Sequence, residues 1–172
     1  MRRLYLLRHA KSSWADPGLA DFERPLNRRG QEAAPKMGYY LRERGLLPEL
    51  VLCSAARRAQ ETWDLVAREL GREIPIKIQR SLYLATPSRL LAAIRRQPPE
   101  IETLMLVGHN PGMENLSARL AGPGSKKKAL ASLREKFPTG TLAVFDCDIA
   151  DWSDLTEGGG QLVRLVKPRE LD

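Results

Sequence analysis

Only two of the 172 residues are cysteine, only two are histidine, and aromatic residues make up 6% of the chain. Cys53 and Cys147 lie far apart and offer no ligand spacing, which leaves neither a disulfide framework nor a cysteine-based metal centre. Both sit in apolar, strand-like runs, where buried reduced thiols are expected. No apolar run approaches the roughly 20 residues needed to cross a bilayer. The opening Met1-Arg2-Arg3-Leu4-Tyr5-Leu6-Leu7 begins as secretory signals do, but Arg8-His9 cuts its apolar stretch short of the about 7–15 residues of a secretory core. A cytoplasmic protein without a membrane partner is the expectation.

The formal charge of +7 suits nucleic acid or an anionic substrate equally. No zinc or RNA-binding motif is present and the cations are spread along the chain, so no specific nucleic-acid partner is expected. The one basic run, Lys126-Lys127-Lys128 after Gly122-Pro123-Gly124-Ser125, reads as the solvated start of a helix. Internal repeats, low-complexity tracts and long linkers are lacking too, and residues 1–172 are read as one domain. Oligomeric state is left open.

What is present is an alternation of short β-like runs with helical patterns, the mark of an α/β fold. Strands are expected at Arg3–Leu7, Leu50–Cys53, Ile74–Ile78 (an edge, because of Pro75), Thr103–Val107, Thr141–Cys147 and Gln161–Val166. Thr103–Val107 is the most apolar and is expected at the centre. Helices are expected from an Asn27 cap to Arg44, then over Ala56–Leu70, Ser88–Arg96 and Met113–Leu120. The predicted architecture is a three-layer sandwich, a mostly parallel sheet with helices on both faces.

In such sheets ligands collect beyond the carboxyl ends of the strands. Three strands end in conspicuous polar residues: Arg8-His9, Ser54 with Arg57-Arg58 following, and Gly108-His109-Asn110. Both histidines thus follow a strand directly. Singly, each has an ordinary reading: a hydrogen-bonded structural histidine, a helix-surface arginine, a strand-end charge. Together they compose a site. Two guanidinium forks suit phosphoryl oxygens, a neutral imidazole is a competent nucleophile toward phosphorus, and a second imidazole can hold developing charge. Phosphoryl transfer is mainly positioning and charge stabilisation, so this set requires no metal or cofactor.

The segments Leu7-Arg8-His9-Ala10, Ser54-Ala55-Ala56-Arg57-Arg58-Ala59-Gln60-Glu61-Thr62 and Val107-Gly108-His109-Asn110 resemble the motifs of the histidine phosphatase superfamily, the phosphoglycerate-mutase-like fold. Ala10, where the family often has glycine, is similar to a subgroup of short bacterial phosphohistidine phosphatases of the SixA type. Lys11-Ser12-Ser13-Trp14 and Asp21-Phe22-Glu23-Arg24-Pro25-Leu26 extend the likeness. The resemblance implies His9 as the transiently phosphorylated nucleophile, Arg8 and Arg58 as phosphate ligands, and His109 completing the pocket. Larger members carry a glutamate proton donor after the third strand, but Ser81–Thr86 holds no carboxylate. Asp21 and Glu23 are the remaining donor candidates, their more ordinary reading being salt-bridged or solvated loop carboxylates.

The substrate is expected to be phosphohistidine in a protein. The alternatives are a small phosphate ester or a non-catalytic phosphate-binding module. Turnover of an aryl phosphate should be unchanged by EDTA, whereas a loss of activity restored by added divalent metal would contradict the metal-independent scheme.

Overall fold

The computed structural model describes all of residues 1–172. Its sheet contains six strands: β1 (Arg2–Arg8), β2 (Leu50–Ser54), β3 (Ile76–Gln79), β4 (Thr103–Gly108), β5 (Leu142–Cys147) and β6 (Gln161–Val166). Five helices accompany them: α1 (Arg28–Glu43), α2 (Arg57–Arg68), α3 (Pro87–Arg95), α4 (Gly112–Leu120) and α5 (Lys127–Glu135). The strand order is β3-β2-β4-β1-β5-β6. β1 to β4 are mutually parallel, while β5 runs antiparallel to both of its neighbours.

The strands alternate between two apolar layers, as the two-residue period of an extended chain requires. Leu4, Leu6, Leu52, Leu104 and Leu106 pack with Leu90 and Ile94 of α3, Met113 and Leu116 of α4, and Leu133 of α5. Tyr5, Leu7, Val51, Met105 and Val107 pack on the other face with Met37 and Leu41 of α1 and Trp63 and Val66 of α2. This is the expected three-layer sandwich. β4 is central and β3 is an edge, as the sequence indicated.

Some boundaries differ for identifiable reasons. β3 starts at Ile76 rather than Ile74, because Pro75 contributes only its carbonyl, which accepts from Val51 N–H. The Lys126–Lys128 run does open a helix, α5, whose Ala129 and Leu133 are buried. Asn27 caps α1 by accepting from Gly30 N–H, as expected. Both cysteines are free, and burial pushes each thiol up to about 12.

Pairing register sets the geometry of the carboxyl edge. Arg8 pairs with Gly108, so His9 and His109 each stand one residue beyond a matched pair. Cys53 pairs with Val107, which brings Ser54 level with Gly108. Two glycines make the edge possible. Gly140, at φ +78, donates its N–H to the carbonyls of both Arg8 and His9, at 3.1 and 2.9 Å. Gly30 lets α1 approach the loop after β1, since a Cβ there would lie 2.1 Å from the Lys11 carbonyl oxygen. Gly30→Ala should destabilise the fold by about 1–3 kcal/mol. An unshifted chemical-denaturation midpoint would show that the α1–Lys11 contact is slack.

Candidate active site

Four of the residues singled out by sequence, Arg8, His9, Arg58 and His109, line one cavity of about 430 Å³. The imidazole centroids are 5.1 Å apart, with the rings inclined at 56°. Arg58 enters from the first turn of α2 with its side chain buried, whereas its neighbour Arg57 faces solvent and pairs with Glu61 at 2.9 Å.

His9 is fixed in one tautomer. Its Nδ1 lies 2.7 Å from the Ala10 carbonyl oxygen, which can only accept, so Nδ1 bears the proton and Nε2 the lone pair. Arg58 Nε–H donates to that Nε2 over a long 3.4 Å. Backbone contacts hold the ring's anchor, with His9 N–H donating to Gly108 O at 3.0 Å and Ala10 N–H to Thr62 Oγ1 at 2.9 Å. Thr62 in turn donates to the Arg58 carbonyl at 2.7 Å, tying the histidine-bearing loop to the helix that carries the arginine.

His109 Nε2 is 2.7 Å from Ser54 Oγ. Ser54 Oγ accepts from Ala56 N–H, leaving its own proton to donate to Nε2, and on that assignment Nδ1 carries hydrogen. His109 Nδ1 has no partner within the protein, and neither has Arg8 Nε, while Arg8 Nη1 is spent on the Phe137 carbonyl at 2.8 Å. Two buried nitrogens with no internal partner thus belong to residues lining the cavity.

Both rings are uncharged near neutrality. Burial, together with Arg58, Arg8 and Arg24, lowers His9 to about 3. Burial, His9 and Arg58 lower His109 to about 3. The positive charge of the cup comes from the guanidinium groups of Arg8, Arg24 and Arg58 and from Lys11.

Asp21 is brought into the site and Glu23 is not. Asp21 Oδ2 accepts from Arg58 Nη2 at 3.0 Å and from the Tyr83 hydroxyl, and its Oδ1 accepts from Arg24 Nε at 3.0 Å. Burial alone would raise its pKa, but the hydrogen bonds from Tyr83, Arg24 and Arg58 outweigh that and hold it at about 2. The salt-bridged reading is therefore correct for Asp21, and a carboxyl so acidic has no proton to give near neutrality. Glu23 is exposed and is not among the residues lining the cavity.

Sequence reasoning passed over Tyr83, which binds Asp21 and stands edge-on to His109 with centroids 5.4 Å apart. It also gave no role to Arg24, which grips Ser12 Oγ and the Ser13 carbonyl and lies 3.5 Å from the centre of the Trp14 ring. No group of histidine, cysteine, aspartate and glutamate suited to a metal ion is present, and no helix is long and apolar enough to cross a membrane.

This fold and this convergence of two histidines and two arginines define a class. The sequence model of the histidine phosphatase superfamily (branch 1) matches residues 4–83. A Mycobacterium tuberculosis protein of uncharacterised function is 36% identical over 164 residues, spanning 95% of this chain and all of its own length. The chain belongs to the histidine phosphatase superfamily. Among solved structures it is similar to the provisionally assigned phosphohistidine phosphatase SixA of Agrobacterium tumefaciens, at 35% identity and a TM-score of 0.80 over 97% of this chain and 98% of that one. The corresponding provisional assignment from Nakamurella multipartitia gives 30% identity and a TM-score of 0.82 over 97% and 96%.

The depressed imidazoles make a prediction about stability. Unfolded histidine takes a proton near its ordinary 6.5, whereas the folded rings resist protonation down to about 3, so stability falls as pH drops through that window. Between pH 6.5 and 4.5 the parent should lose about 2–3 kcal/mol more than His109→Asn, which removes one of the two contributions. Denaturant midpoints at the two pH values check this, and equal losses would mean that His109 is not held neutral.

Proposed function

We propose that this protein is a metal-independent phosphatase in which His9 takes the phosphoryl group and passes it to water, and that its substrate is phosphohistidine in a protein. The observation that carries the proposal is the locked His9 tautomer. A neutral ring whose Nε2 lone pair meets only a long 3.4 Å contact from Arg58 Nε–H lines a cavity shared with Arg8, Arg58 and His109.

Nε2 attacks phosphorus, and an Nε2–P bond forms as the bond from phosphorus to the substrate's imidazole nitrogen breaks. Arg8, Arg58 and the unpartnered His109 Nδ1–H receive the three phosphoryl oxygens, with the guanidinium groups neutralising their charge. The departing imidazole takes its proton from solvent. Water then attacks phospho-His9, the Nε2–P bond breaks, inorganic phosphate leaves and the neutral ring returns.

The state of Asp21 supports phosphohistidine over a phosphate ester. An alkoxide leaving group benefits from a carboxylic acid beside it, and the one carboxyl in the cavity is ionised and bound to two arginines. A phosphohistidine ring protonated by solvent on its other nitrogen leaves without such help, as neutral imidazole, a far weaker base than an alkoxide.

His9→Ala should cut p-nitrophenyl phosphate turnover by at least ~10³-fold, and Arg58→Ala by about 10²–10³-fold. Acid-free quenching of enzyme mixed with labelled substrate should trap phosphate on His9. Full activity of His9→Ala, or label elsewhere, would end the scheme. Marked preference for a small ester over a phosphohistidine protein would reassign the substrate alone.

A further inference from the structure

A second cationic cleft adjoins the catalytic cavity. About 240 Å³ in volume, it shares Lys11 and Thr139 with that cavity and is otherwise lined by Arg29, Lys136, Lys167 and Arg169 among its polar residues. No carboxylate lines it.

The fold builds this cleft deliberately close to the site. Leu142 pairs with Leu7 on one side and Val166 on the other, so Lys167, just past β6, stands level with Arg8 at the same edge of the sheet. Arg29 comes from the first turn of α1, which the absence of a side chain at Gly30 presses against the Lys11 carbonyl. Lys136 comes from the segment between α5 and β5.

The decisive residue is Lys167. Its side chain is 1% exposed, yet its Nζ has no hydrogen-bond partner in the protein. The closest carboxylate oxygen, on Glu135, is 3.7 Å away and is already held by Arg169 at 2.9 Å. A buried ammonium with unspent donors is costly unless something anionic reaches it. The catalytic cup does not use it.

We propose that this cleft is a second oxyanion site, which binds a carboxylate or phosphate carried by the same substrate whose phosphoryl group enters the cup. The proposal rests on the phosphatase reading above and adds to it a substrate class: the molecule is anionic at two points. Lys11 and Thr139, common to both cavities, are why the two anions belong to one ligand.

The test compares the parent with an Arg29→Ala/Lys136→Ala double variant, both of whose altered side chains are exposed. Matched substrates are used at low ionic strength, where charge contacts are least screened. One pair is a phosphohistidine peptide flanked by glutamates and its glutamine counterpart. The other is an alkyl bisphosphate and the corresponding monophosphate. p-Nitrophenyl phosphate is the common reference. The parent should favour the doubly anionic member of at least one pair by about tenfold in kcat/KM, the size of one desolvated charge-assisted contact. The double variant should lose most of that preference and keep its p-nitrophenyl phosphate turnover. Preference in the peptide pair assigns the second anion to an acidic protein, and in the bisphosphate pair to a small molecule.

No preference in either pair, or a preference that survives in the variant, overturns the second site and leaves the phosphatase reading standing. Loss of p-nitrophenyl phosphate turnover in the variant would put Arg29 and Lys136 inside the catalytic cup and overturn a separate site as well. A parent enzyme inert toward p-nitrophenyl phosphate and toward every member of both pairs overturns both readings.

Discussion

The parallel register of β1 against β4 is the constraint on which the site depends. It matches Arg8 to Gly108, and His9 N–H completes the ladder by donating to the Gly108 carbonyl. Residues a hundred positions apart in sequence thereby leave the sheet side by side, with their rings 5.1 Å apart. A slip of one residue would send His109 to the opposite layer, since successive side chains of a strand alternate faces. The apolar alternation of Leu104, Met105, Leu106 and Val107, each fully buried, resists that slip from both sides.

Electrostatics follow from the same placement. Two imidazoles confined beside guanidinium groups in a desolvated cup are deprived of protons, and the positive charge is left to the arginines and Lys11 that line it. A nitrogen must be neutral to attack, so in the proposed mechanism the arginines that would bind the phosphoryl group also keep His9 ready for it. Asp21 counterbalances Arg58 and Arg24, and its own bonds to them deny it a proton. Acid catalysis and guanidinium positioning compete for this carboxyl, and positioning wins because three donors converge on it.

Much of this was legible in the sequence because strand ends announce themselves. Leu4–Leu7, Leu50–Cys53 and Leu104–Val107 are apolar runs that break abruptly into Arg8-His9, Ser54 and Gly108-His109, and sheet topology carries such endings to one edge. Asn27 named itself as a cap, and Pro75 as an edge. The loop from Lys11 to Leu26 was not legible in the same way. It has no period, and its path is set by side chains from elsewhere, Arg58 on Asp21 and Glu61 on Leu26 N–H, and by the loop's own Arg24 on Ser12. Hence Asp21 and Glu23 looked alike on paper and differ wholly in space. Tyr83 carried no signal either, because its partner Asp21 is sixty-two positions away. The extent of α5 was hidden because only its basic start is conspicuous, while Ala129 and Leu133 supply just two buried positions.

Of the three tryptophans, Trp63 and Trp152 are sealed in the two apolar layers at 4% and 0% exposure, whereas Trp14 is 76% exposed at the mouth of the cavity with the Arg24 guanidinium against its ring. The molecule consequently carries an optical reporter at its own entrance. The red edge of its emission, and the share of its fluorescence that a dissolved quencher can reach, arise from the single indole beside the arginine that grips the loop.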